Sequence, residues 1–175
     1  MTGKLVFSNF SQAVAELRNQ IDWNGNLVKS RLGHTKELLG ATDSVAYPMI
    51  ENLPPNPKHH TYEELWGPQV DLVSEILKND KDSRQAIITT WFPTLDDNDD
   101  LKQPEVMPCW VLLQFIIRNN KLHILVYSRS QNIDLLPHDL KVFCKIQTLV
   151  AEKVGVTVGS LRHMVGSLHM YTDAT

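Results

Sequence analysis

Apolar residues recur at helical spacing through Phe10, Ala13, Val14, Leu17 and Ile21. Asn9 stands three residues before Gln12, as in a capping box, and Asn24-Gly25 supplies a stop, so this segment predicts a core-facing helix. The pattern then changes to a basic turn over Lys29–Thr35, followed by extended runs at Glu37–Thr42 and Ser44–Tyr47. Pro54-Pro55-Asn56-Pro57 excludes regular structure. Beyond Tyr62–Pro68, the residues Val70, Val73, Ile76 and Leu77 mark one face of a second helix that ends at Asn79–Ser83. Arg84–Trp91, β-branched and aromatic, predicts a strand. The apolar run Met107–Ile117 is too short to cross a bilayer and suits a strand buried on both faces. The polar turn Arg118–Lys121 leads into a second strand, Leu122–Arg129, so the two predict an antiparallel hairpin. Ser130–Leu136 reads as a loop. Pro137 opens a helix that turns Leu140, Phe143, Cys144, Ile146 and Val150 inward and closes at Gly155. Val156–Ser160 predicts a turn and Leu161–Tyr171 a last strand, where Gly166 marks a bulge or a close ligand. The sum is an α+β fold with one mixed or antiparallel sheet and helices on one side.

Composition narrows the partners. At 175 residues the chain has the length of one domain, and its net charge of −3 is spread through interspersed acids and bases. Nothing in that balance points to nucleic acid or a membrane surface. Met1–Phe7 has no apolar leader core, and Cys109 and Cys144 form neither a CxxC pair nor a zinc pattern. Two free thiols in a reducing cytoplasm are expected.

Candidate chemistry is sparse. Cys109 lies at the mouth of the predicted hairpin, where a thiol can be a reactive group or a small core filler. His59-His60 reads as a loop pair, because adjacent residues of an extended chain point oppositely. Asp96–Asp100 does not continue as a calcium loop: Leu101 and Met107 stand where Gly and Glu are needed. Arg31, close to Gly33, offers a planar fork for phosphate or is a solvated loop residue. No GxSxG, HExxH or P-loop pattern occurs, and no metal site is expected.

Four segments in register resemble the thymidylate synthase and pyrimidine hydroxymethylase superfamily. They are Asn79–Arg84, Pro108-Cys109-Trp110 with Gln114-Phe115, Arg129-Ser130 with Pro137-His138-Asp139, and Gly166–Tyr171. Their order and spacing match the family over residues 69–171, with a weaker match from Arg31 to Pro48. The resemblance implies a thymidylate synthase-like fold and a pyrimidine nucleoside monophosphate substrate. Cys109 would be the nucleophile that adds to carbon 6 of the base and activates carbon 5. Arg129 would favour the thiolate and, with Ser130 and Arg31, bind phosphate. Arg84 would reach the partner's site in a symmetric homodimer, although Gln85 replaces the second arginine common there. His169 and Tyr171 would hold a sugar hydroxyl, and Asn132 would contact the folate. Thymidylate synthases carry Pro-Phe-Asn where this chain has Pro137-His138-Asp139. An ionised Asp only accepts hydrogen bonds, which suits the amino group of cytosine and repels the uracil carbonyl. The Gly166-Ser167-Leu168-His169 run is similar to the hydroxymethylase version as well. The implied activity is therefore a cytidylate or deoxycytidylate hydroxymethylase using 5,10-methylenetetrahydrofolate.

Some features depart from the family. Relatives continue well past Tyr171, so the chain reads as shortened at its C-terminus. The region between Tyr47 and Gln69 is also shorter, and the catalytic Glu expected there falls to Glu51, Glu63 or Glu64, with Glu64 the first choice. Trp110 replaces a usually polar residue after the cysteine. A non-catalytic or folate-independent pyrimidine-nucleotide-binding relative is the alternative.

Overall fold

The computed structural model describes residues 7, 9–30, 32–45, 53–95, 101–102 and 107–172. Its first helix, α1 (Phe10–Asn24), begins as the capping pattern requires, with the Asn9 side chain accepting from the Gln12 N–H at 2.9 Å. Phe10, Ala13, Leu17 and Ile21 form its buried stripe. Strand β1 (Asn26–Ser30) pairs antiparallel with β2 (Gly33–Val45). Of the basic turn expected at Lys29–Thr35, residues 29–30 and 33–35 lie in these two strands, and the two runs expected beyond it are continuous strand as far as Val45, with Gly40 at φ +67° and residues 46–47 outside the described residues. The short helix α2 (Glu63–Trp66) precedes α3 (Gln69–Asn79), which buries Val70, Val73 and Leu77. β3 (Ile87–Thr89) is shorter than its pattern suggested, being an edge strand. β4 (Thr94–Leu95) and β5 (Leu101–Lys102) form a separate small pair.

The predicted hairpin is β6 (Trp110–Arg118) and β7 (Lys121–Asn132), joined through Asn119 and Asn120 at φ 52° and 58°. Two successive positive φ angles give the turn the twist that antiparallel strands need, and Asn tolerates them. After it come α4 (Leu136–Val154), with Pro137 in the first turn and Gly155 at φ 76° behind it, and β8 (Thr157–Tyr171). Here two expectations are corrected. Residues 130–132 extend β7, and residues 157–160 begin β8, because these strands pair in parallel from Lys121↔Thr157 to Asn132↔His169. Such pairing is long-range and leaves no local turn signal to read.

The large sheet runs β1-β2-β8-β7-β6-β3, and β7/β8 is its parallel pair; the remaining neighbours are antiparallel. α1, α3 and α4 pack against it. Leu113, Phe115, Ile124, Val126, Leu161 and Val165 are sealed beneath them. Alternate residues face the other way, and Ile87, Tyr127 and Met164 are each 39% exposed there. At Gly166 a Cβ would come within 2.9 Å of the Arg129 carbonyl oxygen and 3.0 Å of the Tyr127 hydroxyl, so this glycine serves close strand approach. No helix among the described residues is long and apolar enough to cross a membrane.

Candidate active site

Cys109 directly precedes β6, beside a register shift between Trp110 and Leu112. Bulges of this kind re-aim side chains next to sites. Its carbonyl accepts from the Arg129 N–H at 2.9 Å, and the thiol is half-buried. Arg129 folds back over the same loop: Nε donates to the Pro108 carbonyl at 3.1 Å and Nη2 to that of Met107 at 2.9 Å. The guanidinium thus fixes the approach to Cys109 and sets a positive charge near the sulfur. Burial pushes the thiol above its ordinary range, Asp139 pushes it further, and Arg129 pulls it back.

The segment before α2 contributes a tyrosine. Tyr62 takes φ 53°, which turns its ring edge-on to Trp110 at 6.2 Å. The Cys109 backbone hydrogen-bonds its hydroxyl, whose pKa is pushed up to about 12 by burial first and then by the charges of Cys109 and Asp139. Tyr62 therefore keeps its proton at neutral pH. Glu64, the expected catalytic acid, is exposed on α2 and is not among the groups whose charge acts on the thiol. In a helix of one turn, the inward position falls to Trp66, which is buried.

Asp139 sits in the first turn of α4 and is 5% exposed. Gln131 Nε2 donates to its Oδ2 at 2.7 Å, and His59 Nε2 meets its Oδ1 at 3.1 Å. His59 and His60 do diverge, as adjacent residues should: His60 stacks on Tyr62 at 6.1 Å while His59 turns inward. That inward histidine and Gln131 are site residues the sequence reading missed. The clue available was the need of a buried carboxylate for donors.

At the far end of β8, His169 and Tyr171 meet edge to face at 5.5 Å. Burial lowers the His169 pKa, against the opposing effects of a Ser167 backbone hydrogen bond and the Glu37 charge. Asn132 pairs with His169 across the parallel ladder, and its side chain accepts from the Asp134 N–H at 3.0 Å. Ser130 lies opposite Ser167. Arg84 is exposed ahead of β3, where its carbonyl accepts from the Gln114 amide at 2.9 Å. Arg31, Glu51 and the acidic run at 96–100 fall outside the described residues. No group of three or more metal-ligating side chains occurs among the described residues.

A family model for thymidylate synthase matches residues 54–175, a span holding Cys109, Arg129, Asp139 and His169. A protein of Methanocaldococcus jannaschii that provisionally carries the thymidylate synthase name is 33% identical over 187 aligned positions, covering 98% of this chain and 82% of that protein. The chain belongs to the thymidylate synthase family. A bifunctional dihydrofolate reductase–thymidylate synthase of Paramecium tetraurelia is 32% identical over 106 residues, 60% of this chain but 22% of that protein. Membership in the thymidylate synthase family brings with it a chemistry of one-carbon transfer to carbon 5 of a pyrimidine nucleotide. The mixed α+β sheet with its helices on one face is consistent with the same family.

Proposed function

We propose that this thymidylate synthase family member is a pyrimidine-nucleotide hydroxymethyltransferase acting on cytidylate or deoxycytidylate. The observation that carries the reading is the pairing of a half-buried thiol, Cys109, with a buried carboxylate, Asp139, whose charge acts on the sulfur. The Cys109 thiolate adds to carbon 6, forming a C–S bond and breaking the 5,6 double bond, and the electron pair gives carbon 5 enamine character. With no one-carbon unit present, carbon 5 takes a proton from solvent, gives up its original hydrogen as a proton, and expulsion of the thiolate restores the ring, which is the exchange measured below. Tyr62, protonated and hydrogen-bonded to the Cys109 backbone, is suited to hold a proton beside this chemistry in place of Glu64. Asp139 accepts from the cytosine amino group. Arg129 and Ser130, with Arg31, take the phosphate, and His169 and Tyr171 take the sugar.

The implied one-carbon donor is methylenetetrahydrofolate, and the residues present suit it. A cavity of about 490 Å³ between the proline-rich segment and α4 has apolar walls from Leu53, Pro54, Pro55 and Val142, and Lys141 and Lys145 on its polar side. Such a lining accommodates a flat aromatic group with an acidic tail; Asn132, the contact the resemblance implies, lies outside this lining. The donor, when bound, supplies carbon at the oxidation level of formaldehyde.

Tritium release from carbon-5-labelled cytidylate, with and without folate, tests this function. Release from cytidylate in preference to uridylate is expected. Release from uridylate alone would overturn the role of Asp139, and none from either nucleotide would leave the second reading. That second reading, a pyrimidine-nucleotide-binding relative without catalysis, is favoured by one observation: the thiol is raised toward its protonated form.

A symmetric dimer belongs to the proposal too. Tyr127 and Met164, neighbours across the β7/β8 pair, and Ile87 on β3 are apolar residues left uncovered on the sheet, as an interface would use, and Arg84 is exposed three residues before Ile87. Mixing Arg84→Ala with Cys109→Ser protein is expected to recover part of one site's exchange activity in heterodimers. Complete absence of rescue would argue against a shared site.

A further inference from the structure

Both oxygens of Asp139 are held by side chains from outside its own helix. His59 comes from the proline-rich segment and Gln131 from the end of β7, at 3.1 Å and 2.7 Å. The His59 and Asp139 side chains are only 9% and 7% exposed, and Gln131 is 1% exposed. The contacts of Gln131 favour one orientation of its amide. The Gln131 amide nitrogen also donates to the Asn132 carbonyl at 3.1 Å, so turning the amide over would set its oxygen against two acceptors. The orientation persists although it leaves Gln131 Oε1 buried with no partner among the described residues. A stranded acceptor is unfavourable, so the two acceptors facing the nitrogen must dictate the choice. Oδ2 of Asp139 is therefore an acceptor. Oδ1 is one as well when the proton of the His59 contact sits on Nε2. A carboxylate oxygen that accepts one such bond keeps a further lone pair for a ligand.

We propose that His59 and Gln131 are positioning residues for base selection. They pin Asp139 as an oriented acceptor, and this three-residue unit discriminates the amino-bearing edge of cytosine from the carbonyl-bearing edge of uracil. The proposal rests on the reading of Asp139 as the base-reading group. Without its two donors the carboxylate can rotate, so that it no longer presents a fixed acceptor to the cytosine amino group or a fixed repulsion to the uracil carbonyl.

Calorimetric binding of cytidylate and uridylate to the full chain tests it, using His59→Phe, Gln131→Met and the donor-preserving His59→Gln. The wild type is expected to favour cytidylate. His59→Phe and Gln131→Met lose about 10-fold or more of that preference, by weaker cytidylate binding with uridylate binding unchanged or tighter. His59→Gln, which restores an N–H donor, recovers preference. Uridylate affinity reports whether the pocket is still folded: parallel loss of both nucleotides would reduce His59 and Gln131 to structural residues and overturn the inference. If the wild type prefers cytidylate and Asp139→Asn removes that preference while His59→Phe and Gln131→Met keep it, the positioning role alone fails. If the wild type has no preference, the reading of Asp139 fails first and takes this inference with it.

Discussion

Cys109→Ser loses carbon-5 exchange by at least roughly 10⁴-fold, the scale on which enzymes lose activity when a covalent nucleophile is removed. Its nucleotide binding, assigned to other side chains, persists. The pH dependence of the thiol supplies an independent check. Burial and Asp139 raise it, and Arg129 opposes them. The thiolate is the reactive form, so alkylation by iodoacetamide accelerates as pH rises, with a midpoint above that of an ordinary thiol. Asp139→Asn removes a negative charge that disfavours thiolate and moves the midpoint down. Arg129→Ala removes a positive charge that favours thiolate and moves it up. Rates measured across pH for the three proteins would contradict the charge assignment if these shifts came out reversed.

Trp110→Ala is expected to destabilise the fold by about 3–5 kcal/mol, the range for emptying a large aromatic from a core. Trp110 is fully buried, and its ring meets Phe143 edge-on at 5.7 Å and Tyr62 at 6.2 Å. Against a total stability of about 5–15 kcal/mol for a typical protein, that loss is large. Its indole N–H is buried with no hydrogen-bond partner among the described residues. Trp110→Phe keeps most of the apolar contact and removes the stranded donor, so it should cost far less. Urea midpoints at unchanged slope measure both variants, and equal losses for Ala and Phe would refute the account. Because the same ring backs Tyr62, the alanine variant should also loosen the tyrosine beside the thiol.

Local signals were the legible ones. The Asn9 cap, the Asn119-Asn120 turn, Pro137 and Gly155 each state their backbone conformation within a few residues, and the structure bears them out. Residues 130–132 and 157–160 carry no such signal, since they are strand only by virtue of a partner far away in sequence. Within the site the same division holds. Motifs in register pointed to Cys109, Arg129 and Asp139 as one group, and the charges of the other two act on the thiol. His59 and Gln131 carried no motif, because 80 residues separate His59 from the carboxylate it meets. Glu64 is exposed on α2, while the positive-φ residue of the same segment, Tyr62, faces inward, and no local pattern distinguishes the two.

The position of β8 bears on how such a chain emerges from a ribosome. This strand lies between β2 and β7, so until it is synthesised the β1–β2 ribbon and the β7–β6–β3 ribbon have no shared neighbour. During that interval two bare strand edges wait for the same late segment, and unpaired edges invite pairing with other chains. Translation speed over the last strand, or a chaperone that covers those edges, should therefore govern the yield of native protein more than any change in the early helix.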